Sequence, residues 1–260
     1  NGTTTSNPGD QNNAIYQKGA AKVEIDNSVF AVSGRDNNAV LGKGANGIDI
    51  KGGTTFSVTG NENNGVHLDG TATTTAYTDT GSTFTLDNNA TNSNAIYAKK
   101  GAVELKGTSI TLNGNNNNGL IVFKKTDVTP VKVGKNGNDR SSFVVNSNNN
   151  GIFATGGSSI DEINGANFDV NGSAIGLLVG DSDGNNKAEV AKLEEATFDV
   201  KDTNSADTSD KTGTGIYMYE GEITTNGKVK MEGDSNDIFV TIYNQKNNKI
   251  TFGGTDAEQI

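Results

Sequence analysis

Short apolar segments recur along this 260-residue chain, and long polar segments rich in Asn, Gly, Ser and Thr separate them. About nine of the apolar segments begin with a related sequence, for example NNAIYQKGA at 12–20, NNAVLGKGA at 37–45 and NNGIFATGG at 149–157. A second segment such as VEI at 23–25 follows, and a third such as FSV at 56–58 closes the copy. This three-part order, which returns after about 22 to 26 residues in the tightest copies, indicates internal repeats.

Each copy has the length of three short strands joined by three turns. Within the segments, apolar and polar residues alternate or all residues are apolar, as in the strands of a solenoid. We therefore expect almost no helix. We therefore predict an all-β fold, a right-handed parallel β-helix (β-solenoid) of about nine coils with three short strands each. Stacked at the parallel strand spacing, the coils form a rod about 40 Å long. The alternative is an all-β sandwich, which does not predict the same order in every copy.

The repeats also suggest how the chain is organised. Residues 1–11 are predicted to be a leading segment or partial coil, and residues 12–260 a single β-helix domain. The start has neither a basic region nor an apolar core, so we predict no signal peptide there, and no stretch approaches 18 apolar residues, so we predict no membrane-spanning segment. Neither end resembles a natural terminus, and we expect a fragment of a larger surface protein.

Two residue types mark equivalent positions in the copies. Aromatic residues open the third segment, and we predict that they stack as an interior column: Phe30, Phe56, Phe84, Phe143, Phe168 and Phe198. Asn pairs precede the first segment, where we expect a corner, because Asn tolerates left-handed backbone angles and stacked amides form hydrogen-bonded ladders.

The first segment predicts one inward and one outward column. The inward column is predicted as Ile15, Val40, Val66, Ile96, Leu120, Ile152, Ile175, Ile216 and Ile238. The residues that follow these point to the opposite face: Tyr16, Leu41, His67, Tyr97, Ile121, Phe153, Gly176, Tyr217 and Phe239. An apolar stripe on an outer face either contacts a partner or is covered by other parts of the protein.

Three copies carry extra residues after the first segment, at 71–80, 124–140 and 181–191. Insertions at one corner of a solenoid emerge along one edge, where they form a recognition surface or represent tolerated drift. We predict partner binding at this edge, through Tyr97, Ile121, Phe153, Lys124, Lys125 and Arg140.

Charge and composition limit the classes of partner. The net charge is −10, and the 21 basic residues form no cluster, which argues against nucleic acid and anionic membrane as partners. The chain has no Cys, so disulfides and thiolate chemistry are excluded.

Catalytic chemistry is not predicted, and we assign no catalytic residue. The two arginines, Arg35 and Arg140, lie about four copies apart, and Glu24, Asp49 and Glu104 occupy outward positions where solvated side chains are expected. The segment GDSDG at 180–184 resembles a protease nucleophile segment, but the only histidine, His67, lies about four coils away.

The same segment has a second interpretation, as a metal site. Asp181, Asp183 and Asn185 alternate as in a calcium loop, although Asn186 and Lys192 stand where such a loop has Gly and Glu. An acidic turn without metal is the other interpretation. We predict no cofactor apart from this calcium ion.

The F-x-V third segments, the Asn-rich corners and the absence of Cys resemble the β-helical passenger regions of bacterial type V autotransporter adhesins. The resemblance covers nearly the whole chain from Asn12 and is architectural, so no functional residue is carried over. It implies display at the bacterial cell surface as an outer-membrane passenger, or secretion, and a role in adhesion and virulence. The implied partners are host or bacterial surface proteins or glycans. A β-helical polysaccharide-degrading enzyme and a structural or self-associating spacer rod are the alternatives.

Overall fold

The chain forms a parallel β-solenoid of about seven turns. The computed structural model describes residues 2–4, 12–43, 47–70, 76–123, 130–181, 186–201, 213–233, 238–243 and 248–253, and within these ranges it contains strands and no helix. The all-β parallel fold predicted from the repeats is confirmed. Nine coils and a right-handed winding remain predictions.

The strands stack in three parallel ladders, one for each segment of the repeat. The first face consists of β2 (Asn13–Gln17), β5 (Asn38–Gly42), β8 (Asn64–Asp69), β11 (Asn94–Lys100), β14 (Asn118–Val122), β17 (Asn150–Ala154), β21 (Ile175–Val179), β24 (Thr214–Met218) and β27 (Ile238–Ile242). The second face consists of β3 (Val23–Ile25), β6 (Ile48–Ile50), β9 (Ala76–Thr80), β12 (Ala102–Lys106), β15 (Val131–Asn136), β18 (Ser159–Ile160), β19 (Glu162–Asn164), β22 (Ala188–Glu194), β25 (Gly221–Asn226) and β28 (Lys249–Gly253). The third face consists of β1 (Gly2–Thr4), β4 (Val29–Val32), β7 (Thr55–Val58), β10 (Thr83–Leu86), β13 (Ser109–Leu112), β16 (Asp139–Asn146), β20 (Ala166–Asn171), β23 (Ala196–Lys201) and β26 (Val229–Gly233). Because β1 pairs in parallel with β4, part of the leading segment belongs to the ladder of the third face.

The interior is a narrow column of side chains from all three faces. The six phenylalanines of the third face are buried as predicted. Phe56 and Phe84 stack at 4.3 Å between ring centroids, and Phe168 and Phe198 stack at 4.5 Å. Ile110 continues the column between the two runs of rings, since it pairs with Phe84 on one side and Phe143 on the other. Stacked rings therefore hold successive turns in register.

The register of the first face corrects two turns of the predicted columns. Ile152 pairs with Leu177 and not with Ile175, and Ile216 pairs with Val240 and not with Ile238. The outward residues of these turns are accordingly Leu178 and Thr241 instead of Gly176 and Phe239. Neither copy has the Asn pair that opens most of the earlier copies, and the first apolar residue of each was aligned two positions too early.

The insertions were also predicted too long. The range 71–80 includes β9, 124–140 includes β15, and 181–191 includes the start of β22, all strands of the second face. The core of β15, VKV at 131–133, is itself predicted as a second segment, whereas AYTDT at 76–80 is partly polar and is not recognised as a strand from sequence. Residues 71–75, 124–129 and 182–185 lie outside the described residues.

Buried amides close the corner between the third and first faces. The Oδ1 atoms of Asn37, Asn63, Asn117 and Asn149 each accept the backbone N–H of the equivalent residue in the preceding turn, at 2.8 to 3.0 Å. The Nδ2 atoms donate back to carbonyls of the corner, as Asn117 does to Ala90 and Asn113 at 3.0 and 2.7 Å. One side chain thus bonds three backbone groups at the bend, of which the Ala90 carbonyl also accepts the Asn115 N–H.

The second residue of each pair forms another ladder. Side-chain amides donate from Nδ2 to the Oδ1 of the preceding turn at 2.8 to 2.9 Å, through Asn13, Asn38, Asn64, Asn94, Asn118 and Asn150. The predicted corner position and amide ladder are confirmed. The left-handed angles, however, belong to the residue before each pair: Asp36, Glu62, Asn92, Asn116 and Asn148, with φ between 37° and 59°.

Within the ranges that the structure describes, one carboxyl group lies inside the solenoid. Asp79 is fully buried and accepts hydrogen bonds from the Tyr77 hydroxyl at 3.0 Å, the Thr108 hydroxyl at 2.6 Å and the Ser82 backbone N–H at 3.2 Å. Burial raises the pKa of Asp79, although these hydrogen bonds oppose the shift. The charged form is therefore less stable here than in water.

The corner amides are tested with two neighbouring asparagines. Asn117→Ala leaves three backbone groups without this partner, so we expect the free energy of unfolding to fall by about 3 kcal/mol. Asn118→Ala removes the two hydrogen bonds that join it to Asn94 and Asn150 in the half-buried ladder and should cost about 1 kcal/mol in total. Urea unfolding measures both values, and equal losses would contradict the role given to the buried amides.

The buried carboxyl group predicts a pH dependence. The pKa of Asp79 is higher in the folded chain than in the unfolded chain. The free energy of unfolding therefore falls as the pH rises from the ordinary pKa of aspartate through the raised pKa of the folded chain. Asp79→Asn carries no charge and lacks this loss. We expect the variant to gain stability relative to the parent protein between pH 4 and pH 7, measured by urea unfolding at each pH. A difference that stays constant over this range would contradict the prediction.

Candidate functional site

The outer surface of the first face carries two adjacent columns. The first, which we name the outer apolar column, contains Tyr16, Leu41, His67, Tyr97, Ile121, Phe153, Leu178, Tyr217 and Thr241, paired residue by residue. The second lies two residues further along each strand and includes Lys43, Asp69, Lys99, Phe123, Tyr219 and Tyr243. A mostly apolar outward column, as predicted, is confirmed.

This column is a packed ridge rather than a fully open stripe. Leu41, Ile121 and Leu178 are only 7%, 7% and 9% exposed, and the rings of Tyr97 and Phe153 between them are partly exposed. The aliphatic residues therefore fill the space between aromatic side chains. Such a surface presents rings that are held in place by their neighbours, and ordering them on binding costs little entropy.

A first aromatic cluster lies on β8, β11 and the residue after β14. His67 meets Tyr97 edge to face with 4.6 Å between ring centroids, and Tyr97 meets Phe123 at 4.7 Å. Phe123 was missed from sequence because it follows the strand of its own copy. The alternation from Ile121 to Phe123 places both side chains on the outer surface, and this was the available signal.

A second aromatic cluster lies three turns further along the rod. Tyr219 packs between Tyr217 at 5.1 Å and Tyr243 at 5.2 Å, and Tyr243 is 37% exposed. Tyr219 was also missed, although the alternation Tyr217-Met218-Tyr219 predicts two rings on the same surface. Burial and the neighbouring tyrosines raise the pKa of Tyr217.

His67 is the most perturbed titratable group of this surface. Burial lowers its pKa to about 4, the charge of Asp69 opposes the shift, and the charges of Lys99 and Lys43 add to it. Its Nε2 atom is buried and has no hydrogen-bond partner among the described residues. Asp69 itself lies between Lys43 at 3.8 Å and Lys99 at 3.5 Å. The neutral imidazole therefore acts as an aromatic packing element at neutral pH.

The structure brings together some of the residues predicted to bind a partner. Tyr97, Ile121 and Phe153 are consecutive rungs of the outer apolar column. Arg140 lies elsewhere, on β16, where it pairs with Lys135 of β15 in a short antiparallel extension between the second and third faces. Its guanidinium donates to the carbonyl oxygen of Glu195. Lys124 and Lys125 lie outside the described residues.

The calcium hypothesis involves three residues, of which the structure describes one. The Asp181 carboxylate accepts the backbone N–H of Gly156 at 2.8 Å, which ties the end of one turn to the next. Asp183 and Asn185 lie outside the described residues. Over the described ranges, no three His, Asp or Glu side chains are grouped as metal ligands would be. Calcium binding stays a prediction.

The carboxylates of the second face are paired with lysines. Glu104 and Glu162 flank Lys132 in one ladder and border a shallow hollow of about 230 Å³. Glu104 contacts Lys106 at 2.9 Å, and Lys192 contacts Glu162 at 2.9 Å. The hydrogen bond from Lys192 lowers the pKa of Glu162. The general acid of a glycoside hydrolase ordinarily has the opposite shift, a raised pKa.

The single histidine allows a direct test of the outer surface. Because the pKa of His67 is lowered to about 4, its contribution to stability is present above the unfolded value and is lost as the pH falls toward 4. We expect roughly 2 kcal/mol of unfolding free energy to be lost between pH 7 and pH 4 through this group. His67→Gln should lack that part of the loss. A titration of the one imidazole signal by NMR with a midpoint near 6.5 would contradict the prediction.

Comparison of the chain with protein families, with curated proteins and with solved structures finds no match. In the ranges that the structure describes, no helix is long and apolar enough to cross a membrane. What is established for this chain is therefore its architecture, a parallel β-solenoid.

Proposed function

We propose that this chain is a non-enzymatic binding module, a fragment of the passenger region of a bacterial type V autotransporter adhesin. The rod is right-handed with nine coils, and it is displayed on the cell surface or secreted. It binds a protein or glycan of a host or bacterial surface. An acidic chain without a basic cluster is poorly suited to bind nucleic acid.

The observation that carries this proposal is the outer apolar column with its two aromatic clusters. The outer face of a solvated sheet ordinarily carries polar side chains, as the second face of this rod does. On the first face, rings of consecutive turns occupy those positions, and Tyr97 and Phe153 flank Ile121. Aromatic residues fixed by their neighbours are the usual anchors of binding surfaces.

The corner between the first and second faces supports the same location. In three turns the described part of the first face ends at residues 70, 123 and 181, next to the outward columns. Variable segments on a rigid scaffold commonly carry recognition. The binding surface proposed here therefore combines the ridge at Tyr97, Ile121 and Phe153 with Lys124 and Lys125. Arg140 belongs to a different corner and is not part of it.

The paired carboxylates favour binding over polysaccharide degradation. Each candidate acid on the second face has a lysine within about one ion-pair distance, as Lys22 has Glu24 at 3.1 Å and Asp49 at 3.2 Å. A polysaccharide-degrading enzyme needs at least one carboxyl group whose proton is retained near neutral pH. The outward carboxylates of the second face form solvated ion pairs instead.

The test is a binding screen of the purified chain on immobilised glycans and on intact cells. For the strongest binder, Tyr97→Ala combined with Phe153→Ala should weaken binding at least about ten-fold, because truncated anchors typically cost more than 1 kcal/mol each. Tyr97→Phe keeps the ring and should bind nearly as the parent does. Glu24→Ala and Glu104→Ala, on the second face, should leave binding unchanged. Circular dichroism checks that each variant is folded.

Two outcomes would contradict the proposal. Unchanged binding by the folded double variant would remove the first face as the binding surface. Release of soluble oligosaccharides from any tested polysaccharide, lost in Glu104→Gln or Glu162→Gln, would favour the enzyme.

A further inference from the structure

The strand extension at the corner between the second and third faces ends in a tight turn. Asn136 of β15 pairs with Asp139 of β16 in antiparallel fashion, and Gly137 and Asn138 connect them. Every residue from 135 to 139 is exposed. The dipeptide Asn136-Gly137 therefore lies in solvent, outside the parallel ladders that stack the turns.

An asparagine that precedes a glycine is open to attack by its own main chain. The backbone nitrogen of the glycine forms a bond to the side-chain Cγ, and the Cγ–Nδ2 bond breaks and releases ammonia. Water then opens the resulting succinimide ring to aspartate, or to isoaspartate, in which the main chain runs through Cγ. The reaction takes up one water and gives off one ammonia, without oxidant, reductant or enzyme. Glycine favours it because no Cβ obstructs the approach.

We propose that Asn136 is a site of spontaneous deamidation. A Cβ added to Gly137 would meet nothing within 4 Å, so there is open space beside the attacking nitrogen. With a φ of 61°, Gly137 takes the first central position of the hairpin turn. The hydrogen bond of such a turn joins the residues on either side of the central pair and does not use the N–H of Gly137. The attacking nitrogen and the exposed amide of Asn136 are thus both accessible.

The same dipeptide is held in the stack elsewhere. In the described ranges it occurs at seven further places, and in six of them the Asn side chain is hydrogen-bonded to another side chain: Asn64, Asn113, Asn118, Asn150, Asn164 and Asn171. In two of them the glycine nitrogen is engaged too, because the N–H groups of Gly165 and Gly172 donate to carbonyls of the next turn at 3.1 and 3.0 Å. Attack at these places requires that the hydrogen bonds of the stack first open.

Asn226-Gly227 is the seventh place and the closest comparison. Asn226 is exposed like Asn136, but its main chain pairs with Gly253 in the ladder of the second face. A Cβ on Gly227 would lie 2.8 Å from the Glu194 side chain, so the approach to this glycine is narrower. The two sites therefore share an exposed side chain and differ in the main chain around the glycine.

Conversion of Asn136 weakens the hairpin. The new carboxylate lies opposite Asp139, and like charges directly opposite each other in an antiparallel pair are destabilising. Isoaspartate in addition inserts one more main-chain atom into β15 and shifts the register of the pair. The parallel ladders of the two strands end at Gly134 and begin again at Ser141, so the stack of turns stays intact.

Storage of the purified chain at mildly alkaline pH tests the site. Peptides are mapped at intervals by tandem mass spectrometry, which locates the mass gain of each converted asparagine. We expect Asn136 to convert at least about ten-fold faster than Asn118 and measurably faster than Asn226, because local opening precedes the reaction in the stack. Equal rates at Asn136 and Asn118 in the folded chain would overturn the proposal.

The chain unfolded in urea provides the matched control. Each of these three residues precedes a glycine, so they should convert at similar rates once the stack is lost. A lead of Asn136 that persists in urea would assign the reactivity to the local sequence and overturn the role of the hairpin.

Two substitutions test the consequence for the hairpin. Asn136→Gln keeps an amide and should stay unmodified, because its longer side chain disfavours ring closure, whereas Asn136→Asp supplies the aspartate product from the start. We expect the N–H groups of residues 135–140 to exchange with deuterium faster in Asn136→Asp than in Asn136→Gln, with equal exchange at Val133 in the ladder. Equal exchange of the hairpin in both variants would overturn the proposed weakening.

Discussion

The need to satisfy backbone hydrogen bonds at every corner governs this fold. Strands within a face bond to the turns above and below, but the residues between faces lose these partners when the chain bends. Buried amides such as Asn63 replace them, with Nδ2 donating to Thr59 and Gly34 and Oδ1 accepting the Asn37 N–H. Because each amide contacts its own turn and the preceding one, the same residues both close a turn and set its register.

Once the register is set, the interior allows few alternatives. Each turn contributes one side chain to each interior column, so an aromatic ring in the third face meets a ring or aliphatic side chain directly above it, as Phe56 meets Phe84. Space inside the rod is limited, and Asp79 is tolerated there because Tyr77, Thr108 and Ser82 supply its hydrogen bonds. The buried Asp79 takes hydrogen-bond partners both from its own turn, Tyr77 and Ser82, and from the next turn, Thr108.

The Asn pair at the corner and the Phe of the third face explain what could be predicted from sequence. Turns with an Asn pair and a Phe were aligned correctly, because both residues have one physical role in every turn. The turn at 172–179 lacks the pair, and Ile175 was placed where Leu177 lies. Phe123 and Tyr219 were missed because they follow the apolar strand of their turn. Whether an outward side chain joins a cluster depends on neighbouring turns, and no local pattern in one turn contains that information.

In such a rod, function is confined to residues outside the corners and the interior. The corners and interior are committed to the contacts between turns, so a change there alters stability before it alters specificity. The outer faces do not fill the interior, and there the first face carries packed rings where the other two faces carry solvated ion pairs.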